Sequence, residues 1–226
     1  MGEGDVEPGF IPLEHPDLEG DEMLRRAKSF YSQMKSRRTT RHFSNKEVPR
    51  ELIELAIRTA STAPSGAHLQ PWTFVAISKS EIKARIREAA EEEERRFYQE
   101  RVPEEWEEVL APLGTDHVKS HITDAPWVVV LFRQSKRERG EGMAPTYYSQ
   151  ESCGIAAGMF ISAVHNMGLA TLPHTPSPMG FLGKSSGVRC MSTLCCCYQL
   201  VTLQMTQECQ IWKGRGSKRC PNSGIE

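Results

Sequence analysis

Three arginines and two threonines occupy five consecutive positions, a pattern typical of anion binding. Arg37 and Arg38 precede Thr39 and Thr40, and Arg41 closes the group. A guanidinium group holds phosphate through a planar fork that lysine does not reproduce, and hydroxyl groups can donate to the remaining oxygens. The cluster therefore predicts a site for a dianionic phosphate. A solvated charged turn is the alternative, and the cluster taken alone favours it.

A second segment combines residues that allow the backbone to approach a ligand closely. Pro64, Ser65 and Gly66 lie between Ala63 and His68, and an apolar run follows. Glycine has no side chain to keep a planar ligand away from the main chain. The segment predicts a backbone loop over a flat ring, with an ordinary helix-to-strand turn as the alternative.

Three charged or polar residues further along the chain have the chemistry to hold an amino-acid zwitterion. Glu94 and Tyr98 are four residues apart and share one helix face, and Lys119 follows later. In this interpretation Glu94 binds the ammonium group, while Tyr98 and Lys119 bind the carboxylate. The alternative is a solvated face, because this helix is rich in glutamate.

Histidine and cysteine do not form a recognisable metal site or catalytic triad. His68, His117, His121 and Cys153 have no spacing typical of metal ligands, so no chemistry is assigned to them. The other six cysteines all follow Lys184, and three adjacent cysteines fit no zinc spacing. We therefore expect no metal.

Composition limits the class of protein. The chain has 226 residues, 38% hydrophobic and 25% charged, which is enough for one full core. A net charge of -1 argues against non-specific nucleic-acid binding. No apolar run reaches membrane-spanning length, and the acidic N-terminus is unlike a signal peptide. The expectation is a soluble, cytoplasmic protein.

Apolar periodicity predicts helices and single strands without βαβ regularity, so the fold class is α+β. Helices are predicted at Glu22–Ser36, Pro49–Ser61, Ser80–Arg101 and Tyr147–Met167. Strands are predicted at Thr73–Ile77, at Trp127–Phe132 and from Ala170, with a polar linker at Arg133–Pro145. Residues 1–20 form an N-terminal extension, residues 21–184 the domain, and residues 185–226 a tail of different character.

The arginine cluster and the motif from Ala63 to Trp72 resemble the FMN site of the nitroreductase-fold flavoproteins. Four glutamates ending at Glu94, then Tyr98 and Lys119, resemble the active-site lid of the iodotyrosine deiodinases within that family. The resemblance runs from about Phe10 to Lys184. It implies a mixed sheet flanked by helices, and a homodimer with FMN at the subunit interface.

The resemblance also implies roles for individual residues. The backbone at Ala67 would contact the substrate phenolate, and the hydroxyl of Thr175 would bond the flavin N5 and favour one-electron steps. Pro173 replaces the threonine of vertebrate members and removes a hydroxyl and an amide donor. The residues expected to contact FMN are Arg37, Arg38, Thr39, Thr40, Arg41, Pro64, Ser65, Gly66, Pro173, His174 and Thr175.

The activity implied is reductive removal of iodide from mono- and diiodotyrosine, with NADPH as the ultimate electron source and a possible partner reductase. The first alternative is a general nitro- or quinone reductase on the same fold. The second is an inactive truncated isoform without FMN.

The tail is the reason for the second alternative. Aspartate disappears after Lys184, and a shifted reading frame would allow Leu-Leu-Leu-Pro-Val-Gly-Tyr-Pro near Cys197, which resembles the last strand of iodotyrosine deiodinases. We therefore expect a frameshifted or alternatively spliced tail that lacks this strand. A biological variant and a gene-model error both remain open.

Overall fold

The computed structural model of this protein describes residues 14–100, 116–140, 142–175 and 195–205, and in the last range the backbone only. The chain divides into two units, with the boundary between Ser36 and Arg37. The first unit contributes one of the described helices. The second contributes the sheets and the other described helices.

Helices and strands alternate irregularly along the chain, as expected for an α+β protein. The helices are α1 (Gly20–Ser36), α2 (Arg50–Ser61), α3 (Ser80–Glu100), α4 (His121–Asp124) and α5 (Ser149–Asn166). The strands are β1 (Trp72–Ile77), β2 (Trp127–Gln134), β3 (Lys136–Arg139), β4 (Gly142–Pro145), β5 (Leu169–His174) and β6 (Cys195–Met205). The predicted helices and strands are confirmed, with ends that differ by only a few residues.

Helix α1 separates its polar and apolar side chains. Glu22 forms ion pairs with Arg25 and Arg26 at 2.6 and 2.7 Å. Large apolar side chains remain exposed, namely Met23, Leu24, Phe30 and Tyr31. Such a face is typical of a helix that packs against another surface.

The second unit contains an antiparallel sheet whose described strands lie in the order β1-β2-β6-β5. β1 pairs with β2 along its whole length, and β6 pairs with β2 on one side and β5 on the other. A parallel bridge between Thr39 and Thr171 brings the arginine segment to the outer edge of β5. The phosphate-type residues and the end of β5 are therefore neighbours.

The prediction that the tail lacks a strand is wrong. β6 lies inside the sheet, with Val201 opposite both Val129 of β2 and Pro173 of β5. Strand pairing depends on backbone amide and carbonyl groups, which any residue except proline supplies in full. Tyr198, Val201 and Thr202 also have high strand propensity. A change of side-chain character therefore does not prevent this segment from joining two open strand edges.

Strand β2 is buried on both faces, and its alternating side chains divide the helices into two layers. Val129 and Leu131 pack with residues of α2 and α5. Val128, Val130 and Phe132 pack with residues of α3 and α4. This two-sided burial explains why the strand is almost continuously apolar. It also places α3 and α4 on the same side of the sheet.

The segment predicted as a polar linker, Arg133–Pro145, instead contains the exposed hairpin of β3 and β4. Arg137 pairs with Ala144 and Glu138 with Met143 in an antiparallel register. Backbone pairing across a tight turn does not need an apolar face, so the polar composition concealed the hairpin.

Among the described helices, none has the length and apolar character needed to span a bilayer.

The position of β6 makes Val201→Pro a test of whether the tail belongs to the fold. Proline removes an amide donor from an interior strand, and we expect a loss of at least about 2 kcal/mol in the free energy of unfolding. Urea denaturation measures this loss. Val201→Thr keeps the amide and the β-branched shape and should stay within about 1 kcal/mol of the parent. Equal stability of all three proteins would contradict the placement of β6.

Candidate active site

The centre of the candidate site is the carboxylate of Glu94, which has a basic partner on each oxygen. Its Oε2 lies 3.2 Å from Nζ of Lys119, and its Oε1 lies 3.2 Å from Nε2 of His174. Nζ of Lys119 also lies 6.0 Å from the ring centre of Tyr98. The structure therefore brings together the three residues predicted to hold a zwitterion, and adds His174 from the end of β5.

The spacing of residues along α3 explains why a glutamate points inward. Ile82, Ile86, Ala90, Glu94 and Tyr98 follow one another at intervals of four residues and share one stripe of the helix. Ile86 and Ala90 are fully buried against β2 and α4. Glu94 continues this stripe beyond the apolar core, and only 14% of its side chain is exposed.

The surroundings of Glu94 keep its carboxyl group ionised. Burial raises its pKa, but the hydrogen bond with His174 and the charge of Lys119 outweigh burial, and the pKa lies below its usual value. Lys119 is itself buried, with 7% of its side chain exposed. The two side chains therefore form a buried ion pair. A small molecule that carries both a positive and a negative charge could bind to them.

His121 of α4 lies beside this pair and stays neutral. Its ring is 5.4 Å from that of His174 in an edge-to-face arrangement. Burial lowers its pKa to about 3, with further contributions from the charges of His174, Lys119, Arg41 and Arg87. Within the described residues, Nε2 of His121 and Nδ1 of His174 are buried without a hydrogen-bond partner.

The arginine segment lies along β5. The amide of Thr40 donates to the carbonyl of Thr171 at 3.3 Å. Thr40 is buried, and its Oγ1 has no hydrogen-bond partner within the described residues. Arg38 and Arg41 are exposed, while Arg37 is half-buried. The charge of Arg41 contributes to the lowered pKa of His121, the neighbour of His174 at the end of β5.

The loop after Ala63 lies against the start of α5 and has a strained backbone. The amide of Gly66 donates to Oγ of Ser152 at 3.3 Å, and that hydroxyl donates to the carbonyl of Tyr148 at 2.6 Å. Ser65 accepts a hydrogen bond from the amide of Gln70 at 2.9 Å. In the described part of the chain, the residues other than glycine with positive φ are Ala67, His68, Gln70 and Tyr148, at 49°, 53°, 46° and 51°. Such clustered strain is typical of functional sites.

The structure thus places the predicted residues in two groups. Arg37–Arg41, the end of β5 with Pro173 and Thr175, and the three residues around Glu94 form one group. Pro64–Ala67 form the other, beside α5. His174, predicted to contact a flavin, bonds Glu94 in this structure.

Sequence reasoning missed three residues of these groups. His121 follows Lys119 by two positions, Glu91 precedes Glu94 by one helical turn, and Ser152 lies in a helix that was interpreted as core. The i,i+3 spacing on α3 was a usable signal for Glu91. No local pattern marked His121 or Ser152.

Comparison of the sequence with known protein families identifies the family of this fold. The chain belongs to the nitroreductase family, whose sequence model matches residues 34–179. This confirms the predicted family and the α+β nitroreductase-like fold.

Within that family, the chain is similar to iodotyrosine deiodinases. The Haliscomenobacter hydrossis protein is 49% identical over 178 residues, which cover 78% of this chain and 80% of the relative. The Hydra vulgaris protein is 41% identical over 172 residues, covering 76% and 63%. The human protein is 39% identical over 171 residues, covering 75% and 59%. The chain thus spans about three fifths of the animal relatives.

Solved structures agree on the fold. An oxidised iodotyrosine deiodinase bound to FMN and 3-iodo-L-tyrosine superposes with a TM-score of 0.73 at 23% identity, covering 87% of this chain and 100% of that one. A Bacteroides fragilis nitroreductase with bound FMN has a TM-score of 0.63 at 18% identity, covering 87% and 98%.

The burial of His121 predicts how stability depends on pH. Its folded pKa is about 3 against an ordinary 6.5, so between these values only the unfolded chain takes up the proton. Stability should therefore fall as the pH falls below 6.5, with this residue contributing up to about 1.4 kcal/mol per pH unit. His121→Gln should remove that contribution in urea denaturation between about pH 5 and about pH 7. Identical slopes for the two proteins would contradict the prediction.

The packing of the loop predicts the effect of a methyl group at Gly66. An added Cβ would lie 3.0 Å from both the Tyr147 carbonyl oxygen and Cδ2 of Tyr148. Gly66→Ala should therefore cost about 1–3 kcal/mol in thermal or urea denaturation. Gly142→Ala is the matched control, because its Cβ meets nothing within 4 Å and should change stability by less than about 0.5 kcal/mol. Equal behaviour of the two variants would show that the loop is free to move.

Proposed function

We propose that the chain catalyses FMN-dependent reductive deiodination of mono- and diiodotyrosine. The observation that carries the proposal is the buried Glu94–Lys119 pair, with Tyr98 beside it, at the end of β5. A general flavin reductase does not need a dehydrated acid–base pair there. The relatives named iodotyrosine deiodinase, and the structural neighbour bound to FMN and 3-iodo-L-tyrosine, support the same choice.

The residues along β5 fit the FMN phosphate. Oγ1 of Thr40 is a buried donor without a partner in the described part of the chain, and this is an expensive arrangement unless a ligand supplies the acceptor. The guanidinium groups of Arg37, Arg38 and Arg41 belong to the same segment, and they can neutralise a dianion. We propose that they hold the phosphate, with Thr39 and Thr40 as hydroxyl donors.

The acid–base pair fits the charged end of an iodotyrosine. Glu94 and Lys119 neutralise each other, with Oε2 of Glu94 3.2 Å from Nζ of Lys119. A zwitterion can bind between them with no change in net charge. The ammonium group of the zwitterion then pairs with the carboxylate of Glu94, and the carboxylate of the zwitterion pairs with the ammonium group of Lys119. Tyr98 adds a hydroxyl near the same point. This exchange of partners avoids leaving a buried charge unpaired.

The remaining proposed roles concern the orientation of the substrate ring and the transfer of electrons. FMN, when bound, supplies the two electrons that, with a proton, replace the carbon–iodine bond by a carbon–hydrogen bond and release iodide. The strained backbone at Ala67 offers an amide to the phenolate, within the loop of Pro64, Ser65 and Gly66. Thr175 places a hydroxyl, and Pro173 and His174 their backbone, beside the flavin. NADPH, through a partner reductase, is the proposed electron source.

A homodimer is part of the proposal. The loop at Pro64–Ala67 lies against α5, while the arginine segment lies against β5. Tyr147 and Tyr148, just before α5, and Ile155 within it are large side chains exposed by 63%, 70% and 45%. A second subunit would cover these side chains and bring a loop to the FMN of its neighbour.

We propose that a shifted reading frame begins near Lys184, although Cys195–Met205 of the tail forms a strand of the sheet. Sequencing the transcript through the codon of Lys184 tests it, and an uninterrupted frame with unrelated codons would refute it.

The direct test is FMN loading followed by titration with diiodotyrosine. The purified chain is incubated with FMN and passed through gel filtration. We expect retained flavin absorbance and a change in flavin fluorescence when diiodotyrosine is added. A protein that retains flavin and reduces nitro compounds or quinones without responding to diiodotyrosine is a general reductase. A colourless protein is the inactive isoform.

Glu94→Gln tests the assignment of the ammonium site. It keeps the shape of the side chain but removes the negative charge, so the dissociation constant for diiodotyrosine should rise at least about tenfold, with FMN retained. Fluorescence titration of the FMN-loaded variant measures it. Glu92→Gln is the matched control on the same helix, because 57% of that side chain is exposed. An equal loss in both variants would contradict a specific role for Glu94.

A further inference from the structure

We infer that Glu91 is a positioning residue that fixes the main chain of the substrate-binding Lys119, with Arg87 holding Glu91 in place. The inference rests on the proposed function, in which Lys119 binds the substrate carboxylate. Glu91 lies one helical turn before Glu94 on α3.

The first observation is the hydrogen bond at the backbone of Lys119. Its amide donates to Oε1 of Glu91 at 2.9 Å. Lys119 precedes α4, so no helix or strand partner takes this amide. A carboxylate is a stronger acceptor than a carbonyl, and it reaches this amide across 28 positions of sequence. The bond ties the start of α4 to the middle of α3.

The second observation is the support behind Glu91. Nε of Arg87 donates to the same Oε1 at 2.7 Å, and its Nη1 donates to Oγ1 of Thr123 at 2.9 Å. The hydroxyl of Thr123 in turn donates to the carbonyl of Ser120 at 2.9 Å. Arg87 therefore touches both the carboxylate and the segment that follows Lys119.

Together these contacts fix both the backbone and the ammonium group of Lys119, whose Nζ also donates to the carbonyl of Asp116. Glu91 takes its backbone amide at 2.9 Å, and Glu94 lies 3.2 Å from its ammonium group. Both acceptors come from α3 and are three residues apart. The long side chain of lysine has many rotamers, and a fixed starting point limits where its ammonium group can go. Substrate affinity therefore depends on a residue that does not contact the substrate.

Burial and charge distinguish Glu91 from its neighbour. Only 21% of the Glu91 side chain is exposed, against 57% for Glu92, which pairs with Arg96 along the helix surface. Burial raises the pKa of Glu91, but the Lys119 amide and Arg87 outweigh it, and the pKa lies below its usual value. The carboxylate is ionised when it accepts both bonds.

The test compares Glu91→Ala, Glu91→Gln and the control Glu92→Ala in the FMN-loaded protein. We expect Glu91→Ala to raise the KM and the dissociation constant for diiodotyrosine about tenfold, with kcat within about twofold and FMN affinity unchanged. Glu91→Gln keeps an acceptor oxygen and should stay within about threefold of the parent, as should Glu92→Ala. If Glu91→Ala binds diiodotyrosine like the parent, the inference is wrong.

A double-mutant cycle separates positioning from a general loss of structure. In a Lys119→Ala background, Glu91→Ala should add no further loss of diiodotyrosine affinity, because its effect passes through Lys119. Additive losses would overturn the inference.

Hydrogen exchange gives a readout that does not depend on the reaction. The amide of Lys119 should exchange at least about tenfold faster in Glu91→Ala than in the parent or in Glu92→Ala. If Glu91→Ala fails to fold, Arg87→Met replaces it. Arg87→Met should also speed exchange of the Lys119 amide, by a smaller factor. A parent protein that ignores diiodotyrosine refutes the proposed function, and unchanged Lys119 exchange refutes the positioning role.

Discussion

The carboxylate of Glu94 is buried at the end of the apolar stripe of α3, and a buried carboxylate needs basic partners. Much of the candidate site depends on this requirement. An unpaired buried charge would cost several kcal/mol. Glu94 avoids that cost with Lys119 on one oxygen and His174 on the other. The two partners belong to different elements. The side chain of Glu94 therefore links α3 to the segment before α4 and to the end of β5. Burial lowers the pKa of His121 beside this group, and the nearby charges lower it further.

The helices pack on β2 in two layers, and each layer carries one part of the candidate site. The two layers of helices on β2 hold α3 and α4 on one side of the sheet, away from the strained loop beside α5. Backbone strain at Ala67 and Gln70 persists because Ser152 and Tyr148 anchor the loop. Well-packed elements thus surround a buried ion pair and a loop with strained backbone angles. Each of these two features is unfavourable by itself, and the surrounding packing stabilises it.

The sequence predicted most of what depends on periodicity and residue type. The helices and the apolar strands follow from spacing, and the family follows from short motifs. The grouping of Glu94, Tyr98 and Lys119 was suggested by the resemblance to the family lid, because a glutamate-rich helix by itself favours a solvated face. The bond between His174 and Glu94 joins residues 80 positions apart, and no local pattern encodes such a contact. The strand at Cys195–Met205 was missed for a different reason, because pairing uses backbone groups that composition does not report.

The central place of β6 bears on how the chain matures. The strands that flank it, β2 and β5, are made well before residue 205, and neither can pair with β6 until that residue is available. During synthesis the nascent sheet therefore has two open edges, both bordered by apolar strands. Open edges of this kind recruit other strands, so the interval before β6 docks is when the nascent chain most needs chaperone protection.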